Sequence, residues 1–96
     1  MNELEEKIYN GEKLTEEELS DAVFQECKVV DEIEGKRGRW EQETQSIISI
    51  KNKLFAINWL RGLTENQEHY FYEQPFEVEK KTRIIEEIYY EKIKQK

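Results

Sequence analysis

The chain holds one Cys, one His, one Pro, one Met and four Gly. A single cysteine, Cys27, cannot close an intramolecular disulfide, so a reducing compartment is the simpler expectation. One His and one Cys fall short of the three or four ligands that a zinc site needs. The carboxylates fall in no D-x-D-x-D-G calcium loop, and the scattered glycines build neither a Walker loop nor G-x-G-x-x-G. No cofactor is therefore expected. Positive charge is short as well: 15 Lys and Arg against 22 Asp and Glu leave a net charge of −7. Such a chain is repelled by nucleic acid and by anionic membrane, and is suited to a basic partner surface. Long apolar runs are missing: none approaches the roughly 20 residues of a membrane helix. The acidic start, MNELEEKIYN, lacks the apolar stretch of a signal peptide, so a cytoplasmic location is expected.

What is present argues for a folded domain. Charged residues make up 39% and the mean hydropathy is −0.96, values that lean toward disorder. Against this stand two Trp, five Tyr and four Phe, with apolar clusters at regular spacing. At 96 residues the chain has the size of one small domain, spanning 1–96. Residues 1–27 read as a helical hairpin. Residues 28–96 read as mainly β, with a loop or short helix at 63–74.

Leu4 and Ile8 share a helical face, and Asn10-Gly11 stops that helix. In KLTEEELSDAVFQEC, Thr15 and Glu18 form a capping box, and Leu14 with Leu19 a hydrophobic staple. Glu16, Glu17 and Glu18 suit the positive end of the helix dipole, and Leu19, Ala22, Val23 and Cys27 form its apolar stripe. KVVDEIE reads as a strand and Gly35–Gly38 as a turn. In the next strand Trp40, Gln42, Thr44, Ser46, Ile48 and Ile50 alternate onto one face. A two-residue turn at Asn52-Lys53 would set Ile50 opposite Phe55, Ile48 opposite Ile57 and Ser46 opposite Trp59, placing the large apolar residues together. Arg61-Gly62 breaks the strand, and Thr64 with Gln67 is a second capping signature. From Phe76 onward the spacing fits strand or helix; a long strand is preferred because a third strand would stabilise the hairpin. The expected fold is α+β: two short N-terminal helices packed on a small antiparallel sheet of three to four strands.

Arg39-Trp40, Ala56 to Trp59, GLTENQE (Gly62 to Glu68) and QPFEVE (Gln74 to Glu79) form a recurrent string. The string resembles small uncharacterised proteins encoded by phages and prophages of Gram-positive bacteria, across about half of the chain. The resemblance implies a phage or prophage setting inside a host bacterial cell, with no catalytic residue to carry over. TRIIEEIYYEKI departs from the Thr/Val-rich strand that ends its relatives.

Candidate chemistry concentrates in INWLRGLTENQEHYFYEQPFEVE, Ile57 to Glu79. His69 beside Glu65, Glu68 and Glu73 has the ingredients of a general acid/base, but no nucleophile is apparent, and a surface loop histidine is the plainer reading. Cys27 reads as a small buried hydrophobe. Trp40, Trp59 and the HYFY run resemble a base-stacking platform, which the glutamate-rich background disfavours. The aromatic residues read otherwise as packing between sheet and helices. The exposed tip, with Glu65, Glu68, His69, Tyr70, Tyr72 and Glu73, is the expected partner-binding site, because loops on a rigid scaffold carry binding.

The dense carboxylates of residues 16–34 and 65–79 suit imitation of DNA phosphates, and equally a plain solvated surface. The expected function is a non-enzymatic phage or prophage accessory protein that binds a host protein with a basic surface. Acidic mimicry of nucleic acid, inhibiting a host nuclease or defence enzyme, is its sharper form. A self-associating phage structural or assembly component and a small nucleic-acid-binding module are the alternatives. No small-molecule substrate and no membrane partner are expected.

Overall fold

A computed structural model describes residues 1–64, 67–82 and 88–93. The helix α1 (Glu3–Tyr9) starts at Asn2, whose side chain accepts from the Glu5 amide while Glu5 accepts from the Asn2 amide. The helix α2 (Glu16–Asp21) starts with the same reciprocal bonds between Thr15 and Glu18, as the S/T-x-x-E pattern requires. It runs on into a π-helical turn, Ala22–Glu26. Leu14, Leu19, Ala22 and Val23 are buried, and Cys27 packs at their margin. Lys7 and Glu18 pair at 2.6 Å, and Asn2 donates to the Glu26 carbonyl at 2.8 Å; both bonds close α1 on α2 and its π-helical extension.

Six antiparallel strands follow among the described residues: β1 (Lys28–Arg37), β2 (Glu41–Ile50), β3 (Lys53–Gly62), β4 (Tyr70–Phe71), β5 (Phe76–Thr82) and β6 (Ile88–Lys92). The order is β1-β2-β3-β5-β6, with β4 also on β3. The fold is α+β as expected, but with six strands rather than three to four. The difference arises from β4 and from the C-terminal segment. The latter forms two paired strands, Val78 opposite Lys92 and Thr82 opposite Ile88, where one long strand was expected. Lys81 bridges Glu79 and Glu91 across this pair.

Two turns sit elsewhere than the sequence suggests. Gly35 lies inside β1 and not in a turn, because β2 side chains complete its backbone bonding. Gln42 Nε2 donates to the Gly35 carbonyl at 2.8 Å, and the Lys36 amide donates to Glu43 Oε1 at 3.1 Å. The β2–β3 turn is Lys51-Asn52, with Lys51 at φ 55°, so Ile48 faces Phe55, Ser46 faces Ile57 and Thr44 faces Trp59. The pairing is two residues away from the expected register. A two-residue slip leaves every side chain on its face, so the apolar residues stay together as expected.

The helices cover the face that carries Ile48, Ile50, Phe55, Ile57 and Trp59. Trp40, expected on that face, is 49% exposed at the β1–β2 turn, under the Arg39 guanidinium. The opposite face carries a second cluster, Ile47, Ala56 and Val78, with Leu54, Phe76 and Tyr90 packed on it. The Tyr90 hydroxyl donates to Asp31 at 2.8 Å, joining the two outer strands. Strands spaced about 4.8 Å apart would hold β1 and β6 roughly 19 Å apart in a flat sheet, four spacings and beyond the joint reach of Tyr and Asp. The sheet therefore curls over its second face. The register irregularity between Val29 and Asp31 assists, since a bulge bends its strand and increases twist.

Candidate partner-binding site

The segment after β3 is held from below by aromatic packing. Trp59 is fully buried and stacks on Phe71 with centroids 4.9 Å apart, because the β3–β4 register sets them opposite each other. Phe24, on the π-helical turn, meets Trp59 edge-on at 5.3 Å and Phe71 at 6.2 Å. The indole N–H donates to Ser46 Oγ at 2.9 Å. The Ser46 hydroxyl donates to Glu32, which also pairs with Arg61 at 3.0 Å, and the Arg61 guanidinium lies 4.9 Å from the Trp59 ring. A buried indole is thus satisfied and capped by a polar chain that reaches the surface.

His69 belongs to this support. Its Nδ1 accepts from the Gly62 amide at 3.0 Å, and its ring lies 5.2 Å from Trp59 and 5.3 Å from Phe24. Expected as a contact residue, it holds the base of the loop while remaining exposed. Gly62 permits the return of the chain: a Cβ there would sit 2.7 Å from the Gln67 carbonyl carbon. The Gln74 side chain closes the segment on the helices. Its Oε1 accepts from the Leu14 amide at 2.7 Å and its Nε2 donates to the Leu14 carbonyl at 2.9 Å, so one amide serves as a strand-like partner for the link between α1 and α2.

The remaining expected contact residues turn outward. Tyr70 and Tyr72 are 51% and 45% exposed, with ring centroids 5.7 Å apart. Glu68 and Glu73 are exposed beside them. Glu65, expected in the same group, lies outside the described residues, as does Asn66 of the loop or short helix expected at 63–74. Among the described residues that stretch holds a turn bond, from the Gln67 amide to the Thr64 carbonyl, and then β4.

Tyr72 sits over a shallow concavity lined by Ile33, Glu43, Gln45 and Asn58. Partial burial, then the Glu73 and Glu43 carboxylates, push its phenol above the ordinary tyrosine range. Gln45 donates to Asn58 at 2.9 Å, and Asn58 Nδ2 lies 3.5 Å from Glu73. These β2 and β3 amides were not singled out from sequence. They lie on the face opposite the helices, and only the register shows that they meet the loop.

Other expectations resolve locally. Cys27 is half-buried, and burial pushes its thiol up to about 12, with Glu5 and Glu26 acting in the same direction. Five of the 22 carboxylates are engaged within the fold here: Glu18 with Lys7, Glu32 with Arg61, Glu77 with Lys53, Glu79 with Lys81 and Asp31 with Tyr90. Among the described residues Glu68 and Glu73 have no ion pair, and neither have Glu16, Glu17 and Asp21 of α2. No group of three His, Cys, Asp or Glu side chains among the described residues is arranged to hold a metal ion. No described helix is long and apolar enough to cross a membrane. No family model matches this chain, and neither a curated protein nor a solved structure does so.

Proposed function

We propose that the chain is a non-enzymatic accessory protein of phage or prophage that binds a host protein through the Glu68–Glu73 tip. The observation that carries this reading is the pair of exposed tyrosines, 5.7 Å apart, flanked by two carboxylates without ion pairs among the described residues and backed by the Trp59–Phe71 stack. Tyrosine offers large contact area with few rotatable bonds, and a supported segment loses little freedom on binding. The carboxylates suit a partner with a basic face, and a host enzyme that handles nucleic acid has such a face. On this reading Glu68 and Glu73 stand where phosphates would, while the strand and helix carboxylates that already have partners take little part.

The test is capture from a Gram-positive host lysate with tagged wild type and a Glu68→Lys/Glu73→Lys variant, each at low and high salt. Recovery of one host nucleic-acid enzyme by wild type, lost in the variant and weakened by salt, is the expected result. Equal recovery by wild type and variant would overturn the reading.

A further inference from the structure

The hollow beneath Tyr72 is built from one face of the sheet. The register sets Ile33 of β1, Gln45 of β2 and Asn58 of β3 in a single row, on the face opposite the helices. Glu43 lies two residues from Gln45 along β2 and so shares that face. Together with Tyr72 from the loop these side chains line a hollow of about 290 Å³. Gly35 keeps its rim open: a Cβ there would lie 3.0 Å from Glu43 Oε1 and 3.2 Å from Glu43 Cβ.

The polar groups of the hollow are mostly acceptors. Glu43 takes the Lys36 backbone amide at 3.1 Å, yet it has no ion pair among the described residues, with the Lys36 side chain or with any other. Gln45 spends its Nε2 on Asn58 Oδ1 at 2.9 Å, and its own Oε1 accepts from no described residue. Asn58 Nδ2 lies 3.5 Å from Glu73, which brings a second carboxylate to the edge of the hollow. Tyr72 is 45% exposed, so part of its ring is open to a ligand. Glu73 and Glu43 both act on the Tyr72 phenol, which places the two acids around one ring.

We infer that this hollow takes an arginine side chain of the partner protein. The inference rests on the host-binding reading and narrows it from a basic face to one residue type. A guanidinium is flat, carries its positive charge on several N–H donors and has no acceptor. Its plane suits the Tyr72 ring, and its edges suit Glu43, Glu73 and the Gln45 carbonyl. Lysine brings the same charge with no plane to stack and with all its donors on one atom. An anionic ligand would meet two carboxylates and no counter-charge. A bare metal ion is the poorer fit, since no three His, Cys, Asp or Glu side chains among the described residues are arranged to hold one.

The test is an NMR titration of the isotope-labelled full chain at low salt with three capped tripeptides, Gly-Arg-Gly, Gly-Lys-Gly and Gly-citrulline-Gly. The arginine peptide is expected to shift the side-chain amide signals of Gln45 and Asn58. It should bind at least about threefold more tightly than the lysine peptide, the margin of roughly one additional hydrogen bond. Citrulline, of similar shape without the charge, should give no saturable shift. Glu43→Gln keeps an acceptor for the Lys36 amide and should weaken arginine binding with the unfolding midpoint unchanged. Tyr72→Phe should bind as wild type does, whereas Tyr72→Ala should lose the preference for arginine over lysine. Equal affinity for the arginine and lysine peptides, arginine binding unchanged in Glu43→Gln, or no saturable shift at Gln45 and Asn58 would each overturn the inference. Such a result leaves host binding to be judged by lysate capture. Arginine binding without any host capture would strike the host-binding reading alone.

Discussion

Replacing Ser46 by Ala removes one hydroxyl from a fully buried position and should cost more than its size suggests. The Trp59 indole N–H, itself fully buried, donates to that hydroxyl at 2.9 Å. Alanine leaves the donor without a partner and without water, a loss of about 1–3 kcal/mol. The second bond lost, from Ser46 to Glu32, matters less, because Glu32 is exposed and keeps Arg61 at 3.0 Å. The expected destabilisation is about 2 kcal/mol, or roughly 8–16 °C in melting temperature for a domain of this size. Urea unfolding followed by tryptophan fluorescence measures it. A Trp40→Phe background removes the exposed indole and leaves Trp59 as the reporter of the core. The midpoint should fall with the slope unchanged. The deciding measurement is a double-mutant cycle with Trp59→Phe. Phenylalanine has no N–H to orphan, so Ser46→Ala should cost at least about 1 kcal/mol less in that background. Strictly additive effects, or a cost for Ser46→Ala below about 0.5 kcal/mol, would refute the assignment of Ser46 as the indole's partner. Because Trp59 also stacks on Phe71, the same loss should loosen β4 and the tip.

Three further outcomes are expected. Gly62→Ala places a Cβ 2.9 Å from that of Gln67 and closer still to its backbone, so the loop must shift; unfolding should show a loss of about 1–3 kcal/mol. Burial, then the hydrogen bond to Asp31, push the Tyr90 phenol up from 10.0 to about 12. Its folded pKa lies above its unfolded value, so its contribution is complete below pH 10 and is lost as pH rises through about 12. Tyr90→Phe should therefore lose less stability than wild type over that window, measured by urea midpoints at stepped pH. At about pH 8 the native Cys27 thiol stays protonated and should react with iodoacetamide more than about tenfold slower than after urea unfolding, read by mass spectrometry.

Legibility in the sequence followed the range of the interactions. The Thr15–Glu18 capping box and the Leu19, Ala22, Val23 stripe involve neighbours on one turn, and both stand where the pattern put them. The alternation of Gln42, Thr44, Ser46, Ile48 and Ile50 likewise survived a register two residues from the expected one, since faces repeat every two residues. Trp40 failed because alternation says nothing of where a strand begins, and β2 starts at Glu41. The split of the C-terminal segment was hidden for a related reason: apolar spacing from Ile84 to Ile93 serves strand or helix, and pairing with β5 chose strand for Ile88–Lys92. At the candidate site, the tyrosines and glutamates of the tip were visible as an unusual run. The role of His69 as acceptor for Gly62 was not, nor were Asn58 and Gln45 beneath Tyr72.

By itself the sequence determined the net acidic charge, the helix starts, the strand faces and the aromatic content, because these depend on residue type and on neighbours a few positions away. The tertiary structure alone decided which carboxylates are spent on internal partners and how far the sheet curls. Those outcomes join residues such as Asp31 and Tyr90, or Leu14 and Gln74, that are about sixty positions apart in the chain. No local pattern encodes such pairs. They exist only once strand register and curvature have brought their side chains within hydrogen-bonding reach.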